Sequence, residues 1–448
     1  MSSLCVAMIV RDAAEFLPAC LASARSIAQE IVVADTGSSD STISIAKHFG
    51  ARVLRVPWKN DFAEARNLAL AEARCEWILS LDADEQLDST AAARLPQLLK
   101  NQAVAGYQVT LRNYLRSAAE RVWNHPPPKP NDSLLLAAGL YPVFSEQKDI
   151  RLFRRDPRVY FVGKIHESVA PRIAAVQGSV SQANFFIHHF GFVLDQAAKT
   201  RKNQLYREIS HRTLVELPGD WRAHFELGLL EFEQSRNLLE AQRLFLRAAD
   251  LSPSEGQVWF HLGLTHFRMS AFDDALKALR KAEGCGHRTA ILAETLGQTH
   301  YNLGQFDEAR VSFESALKRD AKNRTVQAKL GLATVRADMP DKGLAQLREA
   351  LAESPQTAEL HEGLILSLIY LARIEDAATA ASQKLDTIPD LFPADYLRVA
   401  SLWAQIHDWK HSARALELGL LAHPGDAGLN RAHNEVIQAA GTLAMKTL

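Results

Sequence analysis

WILSLDADE, Trp77 to Glu85, is an apolar run that ends abruptly in three carboxylates within four residues. It reads as one buried strand whose carboxyl end gathers charge, and ligands of open α/β sheets bind outside the carboxyl ends of the strands. Working outward, EIVVADT, Glu30 to Thr36, is a second such run, and DTGSSD, Asp35 to Asp40, follows at its end. LCVAMIV, Leu4 to Val10, and ARVLRVPW, from Ala51, complete a set of short β-branched runs. Helical patterns separate them: Phe16, Leu17, Leu21, Ala24 and Ile27 between the first two strands, a short helix closed by Gly50, and DFAEARNLALAEA from Asp61. In the last of these, Asp61 caps the helix with Glu64 three places on, and Phe62, Ala65, Leu68, Ala69 and Ala73 are expected on its buried side. Strands alternating with helices indicate a parallel sheet covered on both faces.

From Ala105 to Gly191 the pattern changes to an antiparallel extension. GYQVTLRNYL, DIRLFRR and VYFVGKIHESV are expected as strands, and the prolines at Pro126 to Pro128 and Pro130 exclude a regular helix between them. Beyond about Asp195 the chain reads as helix with an internal period. Leu-Gly recurs at Gly228, Gly263, Gly297 and Gly331, separated by 35, 34 and 34 residues. Small residues follow in phase, Ala275, Ala309 and Gly343, then Ala282, Ala316 and Ala350, and Pro253 and Pro355 punctuate unit ends. The first unit is out of phase by one, with Glu240 where Ala241 would serve, and two looser units are expected around Gly363 and from Ala400 to Pro424.

The 448 residues are 47% hydrophobic and 23% charged with a net charge of -1, which is the profile of a folded globular chain. That balance gives no reason to expect a nucleic-acid partner. Cys5, Cys20, Cys75 and Cys285 show no metal-ligand spacing and fit a reducing, cytoplasmic setting. No signal peptide or membrane span is expected, although peripheral membrane attachment is compatible with the sequence.

Asp-, Gly- and Ser-rich segments at strand ends are often only turns. Two of them, one after the second strand and one after the fourth, carry more weight. Asp82, Asp84 and Glu85 repel one another unless a positive group sits among them, and a divalent cation with substrate phosphates in its shell would remove that cost.

The ordered set LCVAMIVRD, IVVADTGSSDST, DFAEARNLALAEA and WILSLDADE resembles the family 2 glycosyltransferases, in the bacterial subgroup where tetratricopeptide repeats follow the catalytic domain. The resemblance implies an α/β nucleotide-diphospho-sugar transferase (GT-A-like) domain over residues 1–195 and an all-α tetratricopeptide solenoid over 196–448. It implies transfer, with inversion, of a sugar from a nucleotide-diphosphate sugar, a UDP-sugar first, using Mn2+ or Mg2+. Carried onto this chain, Asp35 recognises base and ribose with Val10 and Arg11 lining the same pocket, and Arg66 with Asn67 lies beside the nucleotide or the acidic pair. Asp82 lies near ribose and metal, and Asp84 is a direct metal ligand.

Where the subgroup carries Asn-Glu after the first strand, this chain has Asp12-Ala13, so Asp12 receives no role. His166-Glu167 matches a histidine-glutamate pair of the subgroup. Glu167 is the first candidate for the base, Glu85 the second, and His166 a ligand of metal or phosphate. His188, His189, Arg151, Arg154 and Arg155 are further candidates for phosphate contact.

The acceptor is expected to be a polypeptide or a cell-surface glycan. The alternative is an inactive scaffold whose repeat groove binds a protein. A nucleotidylyltransferase is disfavoured because VRDAAEF lacks the glycines of a nucleotide loop. The helix-rich link from Asp195 to Glu216 has no flexible linker composition. It is therefore expected to make the solenoid a rigid continuation whose first repeats wall the acceptor cleft near His166 and Glu167.

Overall fold

Leu4–Val10 form β1, and alternate side chains enter different cores, as the period of two demands. Leu4, Val6, Met8 and Val10 pack with Leu17, Leu21, Trp77 and Leu79 on one face, whereas Cys5 and Ala7 pack with Val32, Ala34, Ala69 and Phe153 on the other. Burial on both faces explains why the run is unbroken. The computed structural model describes residues 2–117, 128–193 and 196–446. The prolines at Pro126 and Pro127 fall outside them.

The chain continues through α1 (Leu17–Arg25), β2 (Glu30–Asp35), α2 (Thr42–His48), β3 (Arg52–Arg55), α3 (Phe62–Glu72), β4 (Trp77–Ser80), β5 (Glu85–Leu87), α4 (Ala91–Leu98), β6 (Gly106–Leu115), β7 (Lys129–Pro130), β8 (Val143–Arg154), α5 (Ala170–Ala175) and β9 (Val180–His189). The strands make one sheet of order β3-β2-β1-β4-β8-β6-β9-β5, with β7 beside β8. β1 to β4 pair in parallel, and β8 joins β4 antiparallel.

Two expectations are corrected here. Trp77 to Glu85 is not one strand: β4 ends at Ser80, the chain turns through Leu81 to Asp84, and Glu85 opens β5 against β9. The turn is fixed by Glu85 reaching back to accept the Asp82 amide at 2.9 Å. Because three strands separate β4 from β5 in the order, the sheet curls, and the acidic turn lies over its carboxyl end. VYFVGKIHESV is not a strand either. Gly163 and His166 both have positive φ, and a single bridge, Val162 to Ser168, closes the loop between them.

In α3 Asp61 accepts the Glu64 amide at 2.8 Å as the capping pattern requires. The buried face, however, is Ala63, Ala65, Arg66 and Ala69, and Leu68 is exposed. The face turns because the Arg66 guanidinium points inward.

By contacts the chain divides into two units, Met1–Arg236 and Asn237–Leu448. The sequence reading puts its domain boundary at 195–196, so α6 (Gln196–Glu216) and α7 (Trp221–Leu230) go with the sheet in the structural division. The second unit is built of twelve helices between Leu238 and Lys446 among the described residues. No described helix is long and apolar enough to cross a membrane.

The period is visible in the backbone. Left-handed residues close the first helix of each pair at Arg236, Ser270, Gly304, Asp338, Ala372 and His407, which are 34, 34, 34, 34 and 35 residues apart. The 35-residue interval between Gly228 and Gly263 has a local cause. Glu231–Ser235 form a π-helical turn, the geometry that absorbs one extra residue, and Ala241 rather than Glu240 is then the buried small residue.

The repeat glycines admit neighbouring side chains. A Cβ at Gly331 would lie 2.4 Å from Leu347 Cγ, whose side chain is fully buried. Gly331→Ala is therefore expected to destabilise the array by about 1–3 kcal/mol through overpacking, although alanine favours a helix by ~1 kcal/mol. A lower urea midpoint of the helical signal checks it; a higher one would show that Leu347 moves aside.

Candidate active site

The acidic turn after β4 does not stand alone. From α3, Arg66 sends Nη2 to Asp82 Oδ1 at 2.5 Å, Nη1 to Ser80 Oγ at 3.3 Å and Nε to Glu167 Oε1 at 2.6 Å. From β8, Arg151 sends Nη2 to Glu85 Oε1 at 2.9 Å and to Asp82 Oδ2 at 3.3 Å. Burial pushes the Asp82 carboxyl upward, but the two guanidiniums outweigh it and hold Asp82 well below the usual carboxylate range. Glu85 goes the other way: complete burial raises its carboxyl, Asp82 adds to the rise, and Arg151 only partly opposes it.

Asn67, next to Arg66, clamps the Glu167 loop to α3. Its amide donates to Phe161 O at 2.9 Å and accepts from Phe161 N at 2.8 Å.

Asp84, on the same turn, faces the imidazole of His189, with Oδ2 and Nε2 3.7 Å apart. His189 Nδ1 lies 2.6 Å from Asn113 Oδ1, an atom that only accepts, so Nδ1 carries the proton and Nε2 is turned to Asp84. Gly191 borders this gap. A Cβ there would sit 2.6 Å from His189 Nε2 and 2.8 Å from Asp84 Oδ2. His188, one residue earlier and so on the opposite face of β9, packs instead against Tyr114, whose hydroxyl is 2.7 Å from Nδ1. Burial lowers the His188 imidazole to about 4. The alternation of β9 thus separates two adjacent histidines into different surroundings.

At the end of β2, Asp35 is buried opposite Val10 of β1. Its Oδ1 accepts the amides of Gly37 and Ser38, each at 3.1 Å, while its buried Oδ2 has no hydrogen-bond partner. Arg11 is exposed beside it. Asp12, with a positive φ, ties the two loops together by accepting from the Ser39 amide at 2.7 Å and its hydroxyl at 3.0 Å.

The structure brings Asp82, Asp84, Glu85, Arg66, Arg151, Glu167 and His189 into one cluster. His166 is exposed, its ring edge-on to Tyr206 at 5.8 Å. Arg154 is spent on Glu76 and on the carbonyls of Val104 and Asn101, and Arg155 on the carbonyl of Cys75. Among the described residues no three His, Cys, Asp or Glu side chains gather as a complete protein metal site.

Two residues of α6 near the site carry no signal in the sequence. Tyr206 stands edge-on to Phe62 at 5.6 Å as well as to His166, and Lys202, one turn earlier, places its ammonium 5.6 Å from the Tyr206 ring centre. A charged residue and an aromatic at i and i+4 signal only a shared helix face.

Comparison with known proteins agrees with this architecture. Residues 5–159 match the model of glycosyl transferase family 2, and residues 230–286 and 294–356 match that of the tetratricopeptide repeat. The chain is 31% identical to a TPR repeat-containing protein of Synechococcus elongatus over 63% of this chain and 66% of that one. It is 27% identical to the lipopolysaccharide core biosynthesis glycosyltransferase LpsC of Rhizobium meliloti over 44% and 65%. It thus spans just under two thirds of the length of both relatives. Among solved structures, a tetratricopeptide repeat protein from Parabacteroides merdae aligns with 54% of this chain and 94% of its own at 11% identity and a TM-score of 0.42. The chain is a family 2 glycosyltransferase domain fused to C-terminal tetratricopeptide repeats.

Proposed function

We propose that the protein transfers a sugar, with inversion, from a nucleotide-diphosphate sugar to a hydroxyl-bearing acceptor. The observation that carries this reading is the buried, unpartnered Oδ2 of Asp35 at the strand ends, one strand across from the acidic turn. A buried carboxylate oxygen without a donor is costly, and an imino N–H of a base or a ribose hydroxyl would satisfy it. Val10 and Arg11 would line the same pocket.

A divalent cation fits the donor atoms of Asp84 and His189. They face each other at 3.7 Å, and Gly191 leaves open the space between them. A carboxylate with an imidazole suits manganese better than magnesium. Asp82 fits less well as a ligand, since both its oxygens are held by guanidiniums. When bound, such a cation neutralises charge developing on the diphosphate.

Glu167 is the base in this reading. Arg66 holds its Oε1, and among the described residues Oε2 has no partner, so that oxygen is available to an acceptor. Glu85, fully buried and bonded to Arg151, is out of an acceptor's reach. Glu167 takes the acceptor hydroxyl proton as the acceptor oxygen bonds to the anomeric carbon. The bond to the diphosphate oxygen breaks, and the nucleoside diphosphate leaves with the electron pair. The repeats favour a polypeptide acceptor and the lipopolysaccharide-core relative a glycan. Buried unpaired cysteines suit a cytoplasmic setting.

The test is calorimetry of the full chain with UDP and GDP, with and without Mn2+, followed by hydrolysis of a sugar-nucleotide panel. Manganese-dependent binding and slow hydrolysis are expected. No metal-dependent binding of any nucleoside diphosphate would leave the repeats as the working part and overturn the reading.

A further inference from the structure

We infer that Lys202 of α6 is the protein cation that receives the donor's diphosphate, an assignment that rests on the transferase reading. The charge inventory of the site leads to it. Asp82, Asp84, Glu85, Glu167 and Asp149 face two guanidiniums and the His189 imidazole, and both guanidiniums are committed. Arg66 is buried with all three nitrogens bonded to Asp82, Ser80 and Glu167, and Arg151 is held behind the turn by Glu85, Asp82 and Asp149. Neither can swing toward an incoming anion without stranding a buried carboxylate. A diphosphate brought to this edge therefore meets net negative charge, and one divalent cation does not offset both.

Lys202 is placed for that task. Its side chain is exposed, and among the described residues no carboxylate pairs with it. Its ammonium nevertheless lies in the field of Asp84, Asp82 and Glu167. It is not a loosely hung surface lysine, because the helix that carries it is fastened to the rim of the site. Tyr206, the next residue on the same face, is wedged against Phe62 and His166 at 5.6 and 5.8 Å, and Glu216 at the end of α6 pairs with Lys164 of the Glu167 loop. An ammonium in the field of these carboxylates but paired with none of them among the described residues is free to take up an anion. The acidic turn would hold that anion from one side through its cation, and Lys202 from the other. The anion of matching size and charge in this reading is the diphosphate, whose charge grows as the sugar leaves. A compact ammonium suits phosphate as a point charge and asks for no fixed fork geometry.

The experiment uses the full chain saturated with Mn2+ and two probes, inorganic pyrophosphate and UDP, with uridine as control. Wild type, K202M and K202R are titrated by calorimetry, and their melting curves are compared. One charge-assisted contact is worth enough that K202M should weaken pyrophosphate and UDP by about tenfold or more. K202R should stay within about threefold of wild type, and uridine should bind all three alike. Unchanged pyrophosphate binding by K202M, with wild-type binding intact, overturns this inference and leaves the transferase reading standing. Wild-type chain that binds neither pyrophosphate nor UDP overturns both. If K202M alone melts early, K202R and a K202Q variant decide on the same pyrophosphate readout.

Discussion

Arg66→Ala is expected to lower the unfolding free energy by about 3–5 kcal/mol, the cost of breaking a buried ion cluster from one side. Arg66 is 7% exposed and serves two carboxylates from different parts of the chain, Asp82 after β4 and Glu167 in the loop before α5. Its guanidinium also lies 5.4 Å from the ring of Phe161. Alanine would leave Glu167 without its counter-charge and Asp82 with Arg151 alone, and would open a hole beside Ser80. Lysine restores one charge but not the three-way fork, so R66K should recover only part of the loss.

The sign of the pH dependence follows from the carboxyls. Asp82 is held below its ordinary 3.8, so the stability it contributes is complete above that value and is lost as the pH falls toward its folded value. Glu85 is raised above its ordinary 4.5, so its contribution is complete below that value and is lost as the pH rises through its folded value. Urea denaturation at several pH values reads both. A loss below about 1 kcal/mol for R66A would mean that the cluster is solvated like a surface pair.

Asp84→Ala should have the opposite profile, a large loss of binding with little change in stability. Asp84 sits on the turn, and the contact that fixes the turn there, the Phe190 amide to the Asp84 carbonyl at 3.0 Å, belongs to the backbone and survives. Removing the side chain gives up the attraction of His189 at 3.7 Å, and relief of the repulsion from Asp82 offsets part of that loss. Stability should stay within about 0.5 kcal/mol. If the proposed cation lies between Asp84 and His189, Mn2+-dependent UDP binding should fall by at least the 10–100-fold typical of disturbing a metal's supporting shell. H189A should do the same. G191A should reproduce it by occupying the gap while leaving both donors in place. Calorimetry with and without EDTA measures the effect. Full manganese-dependent binding by D84A and G191A together would remove the cation from this gap.

Much of this was legible in sequence because local rules carry it. The twin burial of Leu4–Val10, the Asp61 cap and the Leu-Gly period each depend on residues close in the chain. The break inside WILSLDADE was not, since its apolar pattern is satisfied by a strand of either length and the stop is set by one contact from Glu85 to the Asp82 amide. The exposure of Leu68 was missed for a related reason: helix periodicity assigns apolar residues inward, and here a buried arginine set the phase. His189 could be separated from His188 by alternation, but its partner Asp84 lies on the turn into β5, which only the curl of the sheet brings near. Lys202 and Tyr206 reach the rim from a helix more than a hundred residues beyond the acidic turn, and no spacing rule spans that distance.

The left-handed turns at Arg236, Ser270, Asp338, Ala372 and His407 hold the register of the helix pairs through backbone shape, and glycine takes that place only at Gly304. Architecture in such an array is indifferent to most side chains, and contacts run only between neighbouring pairs. A lineage could therefore duplicate or delete a unit of 34 residues, or rewrite the residues lining the groove, without renegotiating the rest of the stack. The repeats are then the part of the molecule free to diverge quickly, while the seven clustered side chains of the sheet domain, each leaning on another, can change only together.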